Sequence, residues 1–155
     1  MALVIIRNDD KGPEWKAALE KIAPDLDIYV YPEAHPVDEV RMAAVWKQPE
    51  GSLDPYRNLL GIHSMGAGVD FILGEPKLEE GLPVIRVVDP RLTADMAEYV
   101  LTQCLAHIRG LQSYMGLQQE SIWRPTAYRR ATDTMVGIMG LGELGMAAAQ
   151  VLVHN

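Results

Sequence analysis

Short apolar runs rich in β-branched residues recur along this chain, and segments of helical periodicity separate them. That alternation constrains the fold more than any other feature. Leu3–Ile6, Asp27–Tyr31 (DIYVY), Met42–Trp46 (MAAVW), Leu60–Ser64 and Val84–Val88 (VIRVV) read as five strands. Pro13–Ile22 reads as a helix: Pro13 suits the first turn, and Trp15, Ala18, Leu19 and Ile22 recur at helical spacing. Strand and helix alternating at such intervals predict βαβ units and a parallel sheet with helices on both faces. The expected fold class is therefore α/β.

After the fifth strand, stopped at Asp89-Pro90, a long helix is expected from Ala94 to about Arg109. Met96, Val100, Cys104 and Ile108 lie four apart there, flanked by Ala97, Leu101 and Leu105. They form an apolar face about 24 Å long. A polar connector, Gln112–Thr132, follows. The expected division is a sheet domain over 1–92, a helix and connector over 93–132, and the start of a second domain over 133–155.

That second segment carries the most specific motif. Val136-Gly137-Ile138-Met139 reads as a strand that runs into Gly140-Leu141-Gly142-Glu143-Leu144-Gly145, and an Ala-rich helix, Met146–Val153, follows. This is G-x-G-x-x-G in a strand-to-helix context, the arrangement that receives a dinucleotide pyrophosphate. Gly140 permits the tight turn, Gly142 lets phosphates approach the backbone, and Gly145 lets the helix pack closely. N–H groups at the helix start favour an anion. No Lys-Ser/Thr pair follows the last glycine, so the loop is not a P-loop. The acidic or basic residue that reads the ribose, expected ~20 positions on, would fall past Asn155. The 135–139 strand and the 143–153 helix are accordingly expected to lack partners within the chain.

A second small-residue loop, Ser64-Met65-Gly66-Ala67-Gly68-Val69-Asp70, follows the fourth strand and precedes a short helical run, Val69–Leu73. Its N–H groups would stand at the carboxyl end of a strand, where open α/β sheets bind ligands. A carboxylate cradle and a plain strand-to-helix turn both satisfy this pattern.

Composition narrows the function classes. The net charge of −7 disfavours nucleic acid and anionic membrane surfaces as partners. The single cysteine, Cys104, allows neither a disulfide within the chain nor a Cys-rich zinc site, and points to a reducing, cytoplasmic compartment. No apolar run approaches the ~18 residues of a membrane span, and no His-x-x-x-His spacing suggests a metal. His35, His63, His107 and His154 read as packed or exposed residues. The acidic stretch Glu75–Glu80 reads as a solvated surface, and Arg129-Arg130 as part of an exposed connector.

Taken together, SMGAGVD at 64–70, TADMAEYVLTQCLAHIRG at 93–110 and VGIMGLGELG at 136–145 resemble the D-isomer-specific 2-hydroxyacid dehydrogenase family. Trp46 in AAVWKQP and the Trp123-Arg-Pro…Tyr128 connector are similar to its glyoxylate/hydroxypyruvate reductase A subgroup. The similarity runs over the whole chain but reaches only the first half of a family member of usual length.

The resemblance implies a flavodoxin-like substrate domain and the first βα unit of a Rossmann cofactor domain. It implies reduction of a small 2-oxoacid, such as glyoxylate or hydroxypyruvate, by NADP or NAD, with NADP favoured, in a homodimer. Trp46, Met65, Gly66, Ala67 and Gly68 would bind the substrate, with the Ala67 and Gly68 N–H groups on its carboxylate. Gly140, Leu141, Gly142, Glu143, Leu144 and Gly145 would hold the cofactor, and Met96 would lie near the nicotinamide. The family's Arg and its Glu-supported His have no counterpart in these 155 residues, so no catalytic residue is assigned to this chain. The alternative reading is a non-catalytic nucleotide-sensing or protein-interaction module of the same fold.

Overall fold

The computed structural model describes residues 1–154, and its first unit is built around β1, Ala2–Arg7. Val4, Ile5 and Ile6 are all fully buried. A strand covered on both faces reads as an unbroken apolar run, which is why alternation is missing there. β2 (Asp27–Val30), β3 (Val40–Trp46), β4 (Gly61–Ser64) and β5 (Val84–Arg86) complete a five-stranded, all-parallel sheet. The strand order is β2-β1-β3-β4-β5, the flavodoxin-like order. The fold class is α/β.

One face of the sheet packs Ala2, Val4 and Ile6 with Val40, Ala43, Val45 and Ile62 against Leu53, Tyr56 and Ile72. On the other side lies α1, Gly12–Ile22, which contacts β1 and β2. Gly12 is required where the helix starts, because a Cβ there would stand 2.6 Å from Val30 Cγ1. Ile72 is contributed by the single helical turn α2, Asp70–Leu73.

The second compact unit begins at Asp89. Its long helix α3 spans Pro90–Ile108 and starts four residues before the expected Ala94. The cause is local: the Asp89 carboxylate accepts the Arg91 N–H at 2.9 Å as an N-cap, and Pro90 occupies the first turn. Gly110, at φ +64°, takes the left-handed conformation that ends α3. The polar stretch expected as a connector instead opens with a helix, α4, Leu111–Gln119, whose Leu117 is buried.

Two expectations about the last segment are corrected. Residues 136–139 form no strand, because a strand is made by its ladder and no partner strand is present in this unit among the described residues. The helix that follows is formed as α5, Glu143–His154, and it does find a partner: it packs against α3, with Ala148 buried. Beside that contact an open groove of about 530 Å³ remains, lined by Leu101, Leu105, Val136, Ile138 and Leu152 among others. Among the described residues no helix is long and apolar enough to cross a membrane.

Candidate functional site

In a sheet of this order the connections leave in opposite directions from β1 and β3, and a crevice opens outside their carboxyl ends. Arg7 ends β1, and Trp46 ends β3. The two are register partners, so they stand side by side on one face of the sheet. The 65–69 loop leaves the carboxyl end of β4, the next strand along.

The loop is held at both ends. The Met65 N–H donates to the Val45 carbonyl (2.8 Å), which carries the β3–β4 ladder one residue beyond the strand. The buried Ser64 hydroxyl donates to the Gly68 carbonyl (2.6 Å) and accepts the Gly66 N–H (3.3 Å). From the β5 side the Val87 N–H donates to the Gly66 carbonyl at 3.1 Å. The N–H groups of Ala67 and Gly68 donate to no acceptor among the described residues. Two adjacent unengaged donors of this kind can take an anionic oxygen group.

Trp46, Met65, Gly66 and Ala67 are half-buried, and Gly68 is exposed. The Trp46 ring lies directly on Gly66, where any Cβ would overlap its Cζ3. Phe71, from α2, meets the same ring edge-on at 6.3 Å and 73°. Trp46 and Gly66 are therefore in contact, and Met65 adjoins through the loop.

Arg7, the last residue of β1, is part of this arrangement. Its side chain is 8% exposed. Nε and Nη2 grip the two Asp9 carboxylate oxygens at 2.7 and 2.8 Å, and Nη1 points at Met65 Sδ, 3.4 Å away. The guanidinium sits 5.9 Å from the Trp46 ring centre and 5.7 Å from that of Trp15. The bidentate hydrogen bond from Arg7 draws the Asp9 pKa down to about 2, and the same bond raises that of Arg7. A cation standing just past the buried part of the first strand was the signal available in the sequence.

A second departure concerns Glu75, expected on a solvated surface. It is buried, accepting from Gln48 Nε2 (2.8 Å) and from the Gly51 N–H (3.0 Å). Gln48 Nε2 also donates to the Phe71 carbonyl at 2.9 Å. The segment after Trp46 is thereby tied to the helix that carries Phe71. The other residues of the 75–80 stretch are exposed, apart from half-buried Leu78.

His35 is likewise engaged, stacked between Tyr29 and Tyr56 and hydrogen-bonded to the Tyr56 hydroxyl (2.9 Å). Burial pushes the Tyr56 pKa up to about 12.

The glycine corner belongs to the second unit. Gly140 has φ +90°, which only glycine adopts freely, and it makes the turn. The Gly142 carbonyl accepts the first intrahelical bond of α5, from Met146 (2.9 Å), so the N–H groups of Glu143 to Gly145 precede the hydrogen-bonded turns and are free of the helix ladder. A Cβ on Gly142 would meet nothing within 4 Å, so this face of the loop is open. A Cβ on Gly145 would collide with the Gly140 carbonyl oxygen. Leu141 and Glu143 are exposed and Leu144 is half-buried. Met96 is half-buried on α3, the helix that α5 packs against. An open, glycine-lined turn at the start of a 12-residue helix fits a pyrophosphate group. Among the described residues no cluster of three or more His, Cys, Asp or Glu could hold a metal ion.

No family model matches the chain. Among curated proteins it is 33% identical over 146 residues to a glyoxylate/hydroxypyruvate reductase A of Serratia proteamaculans, an alignment covering 90% of this chain and 46% of that protein. The chain spans about half the length of the curated relatives it matches. Among solved structures it is similar to a D-isomer-specific 2-hydroxyacid dehydrogenase from Xanthobacter autotrophicus in complex with NADPH, with 37% identity and a TM-score of 0.84 over 99% of this chain and 50% of that one. An NADPH-dependent glyoxylate/hydroxypyruvate reductase from Sinorhizobium meliloti, in complex with NADP and sulfate, gives 32% identity and a TM-score of 0.86, over 99% of this chain and 49% of that one. By sequence and by fold, the chain is similar to D-isomer-specific 2-hydroxyacid dehydrogenases over about half the length of each.

Proposed function

We propose that this chain supplies the substrate loop and the first phosphate-binding turn of an NADP-dependent reductase of small 2-oxoacids, glyoxylate and hydroxypyruvate being the class. The observation that carries the reading is the pair of unengaged N–H groups on Ala67 and Gly68. They stand at the carboxyl end of a sheet strand, in a loop that lies against the Trp46 ring. Two N–H donors in a small-residue loop suit a carboxylate, and an indole beside them leaves little width for the rest of the acid. In this reading Met65 and Gly66 shape the loop and Trp46 walls the pocket. Gly140–Gly145 hold the cofactor pyrophosphate, and Met96 lies toward the nicotinamide.

When bound, the cofactor supplies a hydride to the carbonyl carbon of the 2-oxoacid. The alkoxide then needs a proton and a cation, and the reading places those groups outside these 155 residues. The chain's own part is to bind and orient the acid. A homodimer in a reducing, cytoplasmic setting completes the proposal; the lone, half-buried Cys104 supports the reducing setting. Steady-state assays of the full-length protein with glyoxylate, hydroxypyruvate and pyruvate, against NADPH and NADH, test it. The expected result is turnover of the first two with NADPH preferred. No oxidation of either cofactor with any 2-oxoacid would refute the assignment.

A further inference from the structure

We infer that Arg7, pinned by Asp9, is a positioning residue of the 2-oxoacid pocket: it sets where the Trp46 ring and the Met65 end of the carboxylate loop stand. The inference rests on the pocket reading above and adds to it a group that neither the loop motif nor the glycine motif contains.

Three observations converge on Arg7. It ends the strand at which the sheet order reverses, so it borders the crevice where a ligand enters. It touches the candidate binding residues from behind, with Nη1 on Met65 Sδ and the guanidinium facing the Trp46 ring. Its orientation is over-determined, since two hydrogen bonds to Asp9 fix the plane of the fork. A nearly buried guanidinium on a middle strand carries a desolvation cost that an apolar residue would avoid. A structural role alone does not call for a cation at that spot.

The Trp46 ring is also faced by Lys47 Nζ at 5.7 Å, but Lys47 is exposed and no carboxylate among the described residues is bound to it. Arg7 is the fixed contact. With Gly66 under the ring and Phe71 at its edge, removing Arg7 leaves the exposed Lys47 side chain as the remaining charged contact, and the indole can swing away from the loop. Arg7 thus acts through Trp46 and Met65 and is not itself assigned to the reacting atoms.

The test uses the full-length protein labelled with fluorotryptophan, with the 19F resonances of Trp15, Trp46 and Trp123 assigned by single Trp→Phe replacements, and oxalate as a probe shaped like a 2-oxoacid. Arg7→Met is expected to move the Trp46 and Trp15 resonances but not that of Trp123. It should weaken oxalate at least about fivefold, in the lower part of the range for one cation–π contact. Arg7→Lys keeps the charge without the fork and should behave like Arg7→Met. Asp9→Asn, at the exposed end of the pair, should give the same direction of change and serves if Arg7→Met does not fold. Oxalate affinity unchanged in these variants, full recovery by Arg7→Lys, or an unmoved Trp46 resonance would each overturn the positioning role. Failure of the unmodified protein to bind oxalate would instead overturn the pocket reading beneath it.

Discussion

Replacing Gly145 by alanine isolates what the third glycine of the corner does. The added Cβ would overlap the Gly140 carbonyl oxygen and come within 3.1 Å of its carbon and 3.6 Å of Ile138 Cγ2. The obstacle is backbone, which cannot rotate aside, so the first turn of α5 must withdraw from the 138–140 segment by about an ångström to restore ordinary contact distances. Overpacking of this kind costs about 1–3 kcal/mol. Alanine regains roughly 1 kcal/mol over glycine inside a helix. The net expectation is a loss of about 1–2 kcal/mol, since a backbone obstacle places the cost in the upper part of that range.

Gly142→Ala is the paired control. Its Cβ meets open space, alanine is a poorer N-cap than glycine, and the loss of unfolded-chain freedom offsets this. Its stability should stay within about 1 kcal/mol of the parent. Its NADPH affinity should nevertheless fall, because that open face is the proposed phosphate approach. Urea titration with amide exchange across α5 gives the first quantity, and calorimetric titration with NADPH the second. If Gly145→Ala were as stable as Gly142→Ala, the close-packing account would be refuted. Full cofactor affinity in Gly142→Ala would refute the phosphate approach.

Two further outcomes concern the sheet unit. Gly66→Ala drives a Cβ into the Trp46 ring and should cost about 1–3 kcal/mol; in a double-mutant cycle with Trp46→Ala that cost should largely disappear, whereas simple additivity would show the contact to be immaterial. Asp9 has its folded pKa drawn from 3.8 down to about 2 by Arg7. A depressed carboxylate pKa contributes stability above its unfolded value, and that contribution drains away as pH falls from about 4 to 2. Asp9→Asn should therefore flatten this part of the acid limb in urea midpoints taken across the range, and an unchanged limb would refute the ion-pair account.

The sheet was legible because burial on two faces writes itself as runs such as LVII and AAVW, and α1 because Pro13 marks its first turn and apolar residues recur at helical spacing, although Trp15 and Ile22 of that stripe stay exposed. The start of α3 is readable in principle from Asp89-Pro90, a cap followed by a first-turn proline, but that pair serves equally as a strand terminator. α4 escaped because LQSYMGLQQ has too weak an apolar stripe, and a helix anchored mainly by Leu117 leaves little pattern. At the candidate site, Gly66, Gly140 and Gly145 answer demands of close approach or positive φ that other residues do not meet. Arg7 and Glu75 carry no such local mark, because their roles depend on partners such as Met65 and Gln48, 58 and 27 positions away, which only the folded chain brings near. The expected strand at 136–139 failed for the complementary reason: its sequence suits a strand, but pairing is a property of two segments.

Both borders of the parallel sheet are short, four residues in β2 and three in β5. Pro32 follows the first closely and Pro83 immediately precedes the second, each lacking an N–H to offer an incoming backbone. Arg86 and Asp27 add charge at the same margins. Such rims give little template for another chain to extend, so at high concentration the sheet unit should resist edge-to-edge fibril growth.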